Sequence, residues 1–193
     1  MQLFDRFKKF IACTILVCFI PSQAWAQGIN IPAGASLNLN SGQLIVPGDV
    51  NNAGTLTTVT GPITLTGNWT NSGTFHSGTG TVNFSAPGGT QTINSGGAAA
   101  SDAFYNLVHS TPSTIQLNSN AIAINENFTN TAGTFNANNL NMDVGGNWEN
   151  TAAFTPGTDT VTLNGPNGSV QDVLGSTTFY GFNKTFWSIK TNQ

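Results

Sequence analysis

Charge is what this sequence has least of. Between Lys9 and Lys184 there is no lysine or arginine, and Asp49, Asp102, Glu126, Asp143, Glu149, Asp159 and Asp172 stand singly. A nucleic-acid partner needs clustered cations against its phosphates, and an anionic membrane surface needs the same. Neither partner is expected. Cysteine is confined to Cys13 and Cys18, so the remainder of the chain has neither a disulfide framework nor a thiolate zinc site. His76 and His109 are the only histidines, in no HExxH or paired-ligand spacing. There is no Gly-x-Ser-x-Gly elbow and no glycine–aspartate nonapeptide of the calcium-binding kind; residues 145–149, GGNWE, approach it only faintly. On these absences no catalytic residue, cofactor or metal ligand is assigned.

The one long apolar run is residues 10–20, preceded by Arg6, Lys8 and Lys9 and followed by Pro21 and Ala24-Trp25-Ala26. This layout is that of a secretory signal peptide over residues 1–26. Eleven residues are too few to span a bilayer, which takes about 20. The expected exported chain begins at Gln27, has no membrane span, and is long enough to bury a core.

What fills that chain is a repeat. Residues 67–84, GNWTNSGTFHSGTGTVNF, return seventy-nine positions later as residues 146–163, GNWENTAAFTPGTDTVTL. Trp69 and Trp148, Asn71 and Asn150, Phe75 and Phe154, and Val82 and Val161 keep that offset without a gap. A finer unit lies within it, since Asn52, Asn71, Asn130 and Asn150 each precede an apolar residue four or five positions on: Leu56, Phe75, Phe135 and Phe154. The asparagine steps are nineteen, fifty-nine and twenty, so the elementary period is about twenty residues, and seventy-nine reads as four of them. Between turn clusters such as Val46-Pro47-Gly48-Asp49 and Ala86-Pro87-Gly88-Gly89, apolar and small polar residues alternate, as in Leu37/Leu39, Ile63/Leu65, Ile122/Ile124 and Val161/Leu163. Period two means short strands with one buried face.

Short strands on a twenty-residue period predict an all-β chain built as a right-handed parallel β-helix, or β-solenoid, of about eight coils stacked about 4.8 Å apart. The solenoid is expected over residues 27–182, with residues 183–193 as a C-terminal cap or a truncated repeat. Two small β-sandwich domains are the alternative. In the solenoid the recurrent asparagines suit positive φ at sharp turns and amide bonding from coil to coil. Trp69, Trp148, Phe75, Phe135 and Phe154 are expected as internal ladder positions, and Trp187 as an exposed ligand contact.

The quoted pieces resemble the units of secreted β-strand-repeat proteins of Gram-negative bacteria. Those units run G-N-W-x-N-x-G-T-F, G-T-x-T-V-x-F, a Q-x-I segment and F-Y-N-L. Here they are residues 67–75, residues 78–84, Gln91-Thr92-Ile93 and Phe104-Tyr105-Asn106-Leu107, then residues 146–154, residues 157–163, Gln171-Asp172-Val173 and Phe179-Tyr180-Gly181-Phe182. The resemblance implies an extracellular or cell-surface solenoid similar to filamentous-haemagglutinin-like adhesins and autotransporter passengers. Its implied partners are a polysaccharide, a surface or another cell-surface protein.

Three functions follow from this reading. The first is a non-catalytic structural or adhesive module, which could also self-associate through its solenoid ends, since uncovered strand edges invite pairing. The second is a carbohydrate-active β-helix enzyme, which needs paired carboxylates; stacking at twenty residues would bring Glu126 near Asp143 or Asp143 near Asp159. The third is an ice- or mineral-surface binder, which needs Thr-x-Thr pairs at coil spacing. The pairs that begin at Thr55, Thr64, Thr79, Thr90, Thr129 and Thr158 do not recur at twenty.

Overall fold

The computed structural model describes residues 27–97, 99, 102–185 and 189–192. The expected signal peptide, with both cysteines, and Trp187 lie outside the described residues.

All regular structure among the described residues is β. The first coil is β1 (Ile29–Ile31), β2 (Ser36–Asn38) and β3 (Leu44–Val46). The second is β4 (Val50–Asn52), β5 (Thr55–Thr57) and β6 (Ile63–Leu65), and the third β7 (Trp69–Asn71), β8 (Thr74–His76) and β9 (Thr81–Phe84). The fourth has β10 (Thr90–Asn94) and β11 (Asn106–His109), the fifth β12 (Thr114–Leu117), β13 (Ile122–Ile124) and β14 (Phe128–Asn130). The sixth is β15 (Thr134–Asn136), β16 (Met142–Val144) and β17 (Trp148–Asn150). The seventh is β18 (Ala153–Thr155), β19 (Thr160–Leu163) and β20 (Gln171–Leu174), and the eighth carries β21 (Gly181–Lys184) and β22 (Ile189–Asn192).

Every pairing between strands is parallel and joins a strand to its counterpart in the next coil, which gives a three-sided β-solenoid. The first face runs β1-β4-β7-β10-β12-β15-β18, and the third β3-β6-β9-β11-β14-β17-β20-β22. The second comprises β2-β5-β8 and then β13-β16-β19-β21, with Phe104 of the fourth coil bridging to Ile124. Parallel stacking rules out the two sandwiches, which are built from antiparallel sheets. Beyond Phe182, β21 pairs with β19 and β22 with β20 in parallel register, so stacked strands run on to Asn192 among the described residues.

Alternation decides what goes inside. Ile63 and Leu65 of β6, Ile122 and Ile124 of β13, and Met142 and Val144 of β16 are buried while the residue between them faces outward. The buried side chains form one continuous core from Ile31 to Leu163. Trp69, Phe75, Phe135 and Trp148 are fully buried and Phe154 is packed against the core, as ladder positions should be.

Coil length is where counting along the sequence misleads. Val50 pairs with Trp69 and Leu56 with Phe75, nineteen residues on. Trp69 pairs with Ile93 and Gln91 with Ile115, twenty-four residues on. The surplus of a long coil lies between its strands, as in residues 85–89 between β9 and β10. Seventy-nine residues therefore span three coils and two further faces, not four whole coils. Trp69 lies on the first face and Trp148 on the third; Phe75 lies on the second and Phe154 on the first; Val82 lies on the third and Val161 on the second. The second round of the repeat is the first, turned by one face of the prism.

Candidate functional site

Despite that turn, the two rounds have the same interior. Trp69, Phe75 and Phe104 form an aromatic triad with ring centroids 4.9, 5.4 and 6.0 Å apart. Trp148, Phe154 and Phe179 form the same triad at 5.1, 5.2 and 6.1 Å. These edge-on and tilted distances are those of favourable aromatic pairs. Beside each triad a buried glutamine staples a loop to the preceding coil. Gln91 Nε2 donates to the carbonyls of Leu65 and Gly67 while its Oε1 accepts from Ala86 N–H. Gln171 does the same to Val144, Gly146 and Gly165. In the sequence both glutamines stand only within the Q-x-I and QDV pieces; a glutamine amid apolar alternation, whose amide needs partners once buried, is the signal that marks them.

The asparagines make two ladders on two faces. On the first, Asn52 Nδ2 donates to Asn71 Oδ1 at 2.6 Å and to Thr74 O at 2.8 Å, and Asn71 Nδ2 donates to Asp102 Oδ1 at 2.9 Å. On the third, Asn130 Nδ2 donates to Asn150 Oδ1 at 2.7 Å and to Ala153 O at 2.9 Å, and Asn150 Nδ2 donates to Thr177 Oγ1 at 3.0 Å. Amide bonding between coils is therefore present, but none of the four asparagines has positive φ; that conformation falls to Asn40, Asn138 and Asn139 instead. The glycines beside the first ladder serve close approach. A Cβ on Gly73 would run into the Gly54 backbone of the coil before it.

The third-face ladder begins with a constellation that the sequence did not indicate. Asn130 Oδ1 lies 2.9 Å from His109 Nδ1, and His109 Nε2 lies 2.9 Å from Ser113 Oγ. With the Asn130 amide nitrogen committed to Asn150 and Ala153, its oxygen must accept, so His109 carries its proton on Nδ1 and Ser113 donates to Nε2. The order Ser–His–Asn is that of a nucleophile, its base and an orienting group. All three side chains are at most 1% exposed. Burial lowers the His109 pKa, against a smaller upward pull from Asn130. The result is a neutral, one-directional chain of hydrogen bonds inside a corner of the prism.

The acids are kept apart. Asp143 stacks between Ala123 and Thr162, so it meets neither Glu126 nor Asp159 in the strand register. Glu149 stacks between Thr129 and Leu174. Among the described residues no three His, Asp or Glu side chains gather as a metal site would require. Asp159 is fully buried, and neither carboxylate oxygen finds a hydrogen-bond partner among the described residues. Burial pushes its pKa up to about 6, only partly opposed by its own backbone N–H.

The outward rows are uncharged for most of their length. The first face carries Asn30, Asn51 and Thr70 in register, then Thr90, Thr114 and Thr134 beside Thr92, Gln116 and Asn136. The second face carries Ser36, Thr55 and Thr74 beside Asn38, Thr57 and His76. The threonine row of the first face is Thr90, Thr114 and Thr134, with steps of twenty-four and twenty residues. Among the described residues the large exposed apolar side chains are Ile45, Val59, Val170, Tyr180 and Phe182. No helix among the described residues is long and apolar enough to cross a membrane.

Set against family models, curated proteins and solved structures, the chain matches none of them.

Proposed function

We propose that this chain is an exported, non-catalytic structural or adhesive module of a bacterial cell surface or its surroundings. The observation that carries this reading is a division of labour. Outward strand positions on the first two faces are mostly Thr, Asn, Ser or Gln, with His76, Ala123, Asp143, Ala153 and Gly181 among the exceptions, whereas the polar groups arranged as chemistry would need them, Ser113, His109 and Asn130, are enclosed. Rows of hydroxyls and amides about 4.8 Å apart offer donors and acceptors to an extended polar chain without fixing one substrate bond. A polysaccharide is the partner chemistry they suit. The resemblance of the GNW, GT-x-TV and FYNL pieces to secreted β-strand repeats supports export, as do the charged, apolar and small segments of residues 1–26.

The test is a polysaccharide screen with the chain from Gln27. Binding that spreads over several sugars with no new reducing ends or unsaturated products is expected. Turnover of any of them would replace this reading with the carbohydrate-active enzyme. The row Thr90–Thr114–Thr134 supports a second reading, an ice- or mineral-surface binder, but Gln116 and Asn136 in the neighbouring row break the flat threonine array. Thermal hysteresis in a freezing assay would favour that reading.

A further inference from the structure

We propose that Asn167 is a modification site, an asparagine that converts spontaneously to isoaspartate and aspartate in the folded chain, while its near neighbour Asn164 is held unreactive by the Gln171 staple. Asn164-Gly165 and Asn167-Gly168 are the only Asn-Gly pairs in the sequence. Both fall in the connection between β19 and β20, and both asparagines are exposed. Exposure of the carboxamide therefore does not tell them apart. What differs is the backbone amide that follows each asparagine, and that nitrogen is the reacting group.

In the reaction the glycine nitrogen loses its proton and attacks the asparagine Cγ. A bond forms between that nitrogen and Cγ, the bond from Cγ to Nδ2 breaks, and the side-chain nitrogen leaves as ammonia. Water then opens the cyclic imide at either carbonyl, which gives aspartate or isoaspartate and one new carboxylate. Glycine favours the attack because no Cβ stands beside its nitrogen. For Asn164 that nitrogen is held away. Gly165 N–H donates to Gln171 Oε1 at 3.0 Å, and Asn164 N–H donates to Val144 O at 2.9 Å. Gly165 is buried, and a Cβ on it would lie 2.5 Å from Gly145 O of the coil before. The backbone on both sides of the Asn164 carboxamide is thus fixed. For Asn167 the nitrogen is free. Gly168 is exposed, no atom lies within 4 Å of its Cβ position, and neither Asn167 N–H nor Gly168 N–H has a partner among the described residues. Their turn is closed only from Ser169, whose N–H and hydroxyl both donate to Pro166 O, at 3.0 and 2.7 Å. An exposed turn with a single backbone bond opens more readily than a loop stapled to its neighbours, and opening lets the Gly168 nitrogen swing onto Cγ.

The test incubates the chain from Gln27 in warm, mildly alkaline buffer and follows each asparagine by peptide mass spectrometry, with fragmentation to separate isoaspartate from aspartate. Asn167 should convert at least about tenfold faster than Asn164, the factor that one hydrogen bond of about 1.4 kcal/mol supplies. In urea that unfolds the chain the two should convert at similar rates, since both are then Asn-Gly in an open chain. Gln171→Leu, checked for its fold by circular dichroism, should release Gly165 N–H and bring Asn164 toward the rate of Asn167. Gln171→Met, closer to glutamine in shape, repeats this arm should the leucine variant unfold. Equal rates in the folded wild-type chain overturn the proposal, as does an Asn167 that reacts only in urea. An Asn164 that stays unreactive in the folded Gln171 variant overturns the part given to the staple.

Discussion

The two rounds of the repeat differ more in their neighbours than in themselves. Each holds a Trp–Phe–Phe triad, a glutamine staple and an asparagine bonded to the coil beyond, though one lies a face away from the other. The unit therefore carries its packing with it, and the face on which it falls is immaterial to its interior. The differences lie at the margins. Gly80 of the first round is replaced by buried Asp159 in the second, and buried His109 by Lys184, whose ammonium reaches Gln171 Oε1. Trp69 Nε1 has no partner among the described residues, whereas Trp148 Nε1 donates to Thr177 at 3.1 Å. The rounds thus share the aromatic triad and the staple, while buried positions beside them, Asp159 and His109 among them, have diverged.

The hardest test of equivalence is removal of the triads. Trp69→Ala and Trp148→Ala should each cost about 3–5 kcal/mol, the range for a buried aromatic lost to a cavity, read from urea unfolding midpoints. A cost confined to one variant would break the comparison. The staples come next. Gln91→Leu and Gln171→Leu each strip buried carbonyls and an N–H of their partners, at about 1–3 kcal/mol per group left unsatisfied, and the two losses should agree within about 1 kcal/mol.

The margins should then separate the rounds by pH. The pKa of Asp159 is raised by folding to about 6, so its contribution is favourable at low pH and is lost as pH rises from its unfolded value toward about 6. Asp159→Gly, which restores the first-round residue, should raise stability at pH 8 by about 1–3 kcal/mol and give no gain below pH 3.8. His109 works the other way. Its folded pKa lies below the ordinary 6.5, so stability is full above that value and is lost as pH falls through the folded pKa. In Asp159→Gly the remaining slope from pH 4 to 7 should rise with pH, and His109→Asn, a ladder residue in place of imidazole, should flatten it. A slope that persists in the double variant would place the titration elsewhere.

The smallest effect concerns the indole nitrogens. Trp148→Phe should cost about 1 kcal/mol more than Trp69→Phe, because only the former gives up a hydrogen bond. Equal costs would mean that Trp69 Nε1 is satisfied in solution.

The sequence by itself determined the class of fold. Alternation at Ile63/Leu65 or Ile122/Ile124 specifies a strand and its inward side whatever surrounds it, because successive side chains in a strand point to opposite faces. The asparagines at 52, 71, 130 and 150 marked a twenty-residue period, and the triad members Trp69, Phe75, Trp148 and Phe154 were legible as core from their place in it. Only the tertiary structure decided how the coils are phased. Register follows the hydrogen bonds between neighbouring coils, and a connection such as residues 85–89 lengthens a coil while β9 still pairs with β6 and β10 with β7. Counting along the chain weighs loop and strand residues alike, so it placed Trp148 four whole coils above Trp69 when it stands one face short. For the same reason the sequence could not show that His109, Ser113 and Asn130 meet: His109 ends β11, Ser113 lies in the turn that follows, and Asn130 arrives only when the next coil is laid down.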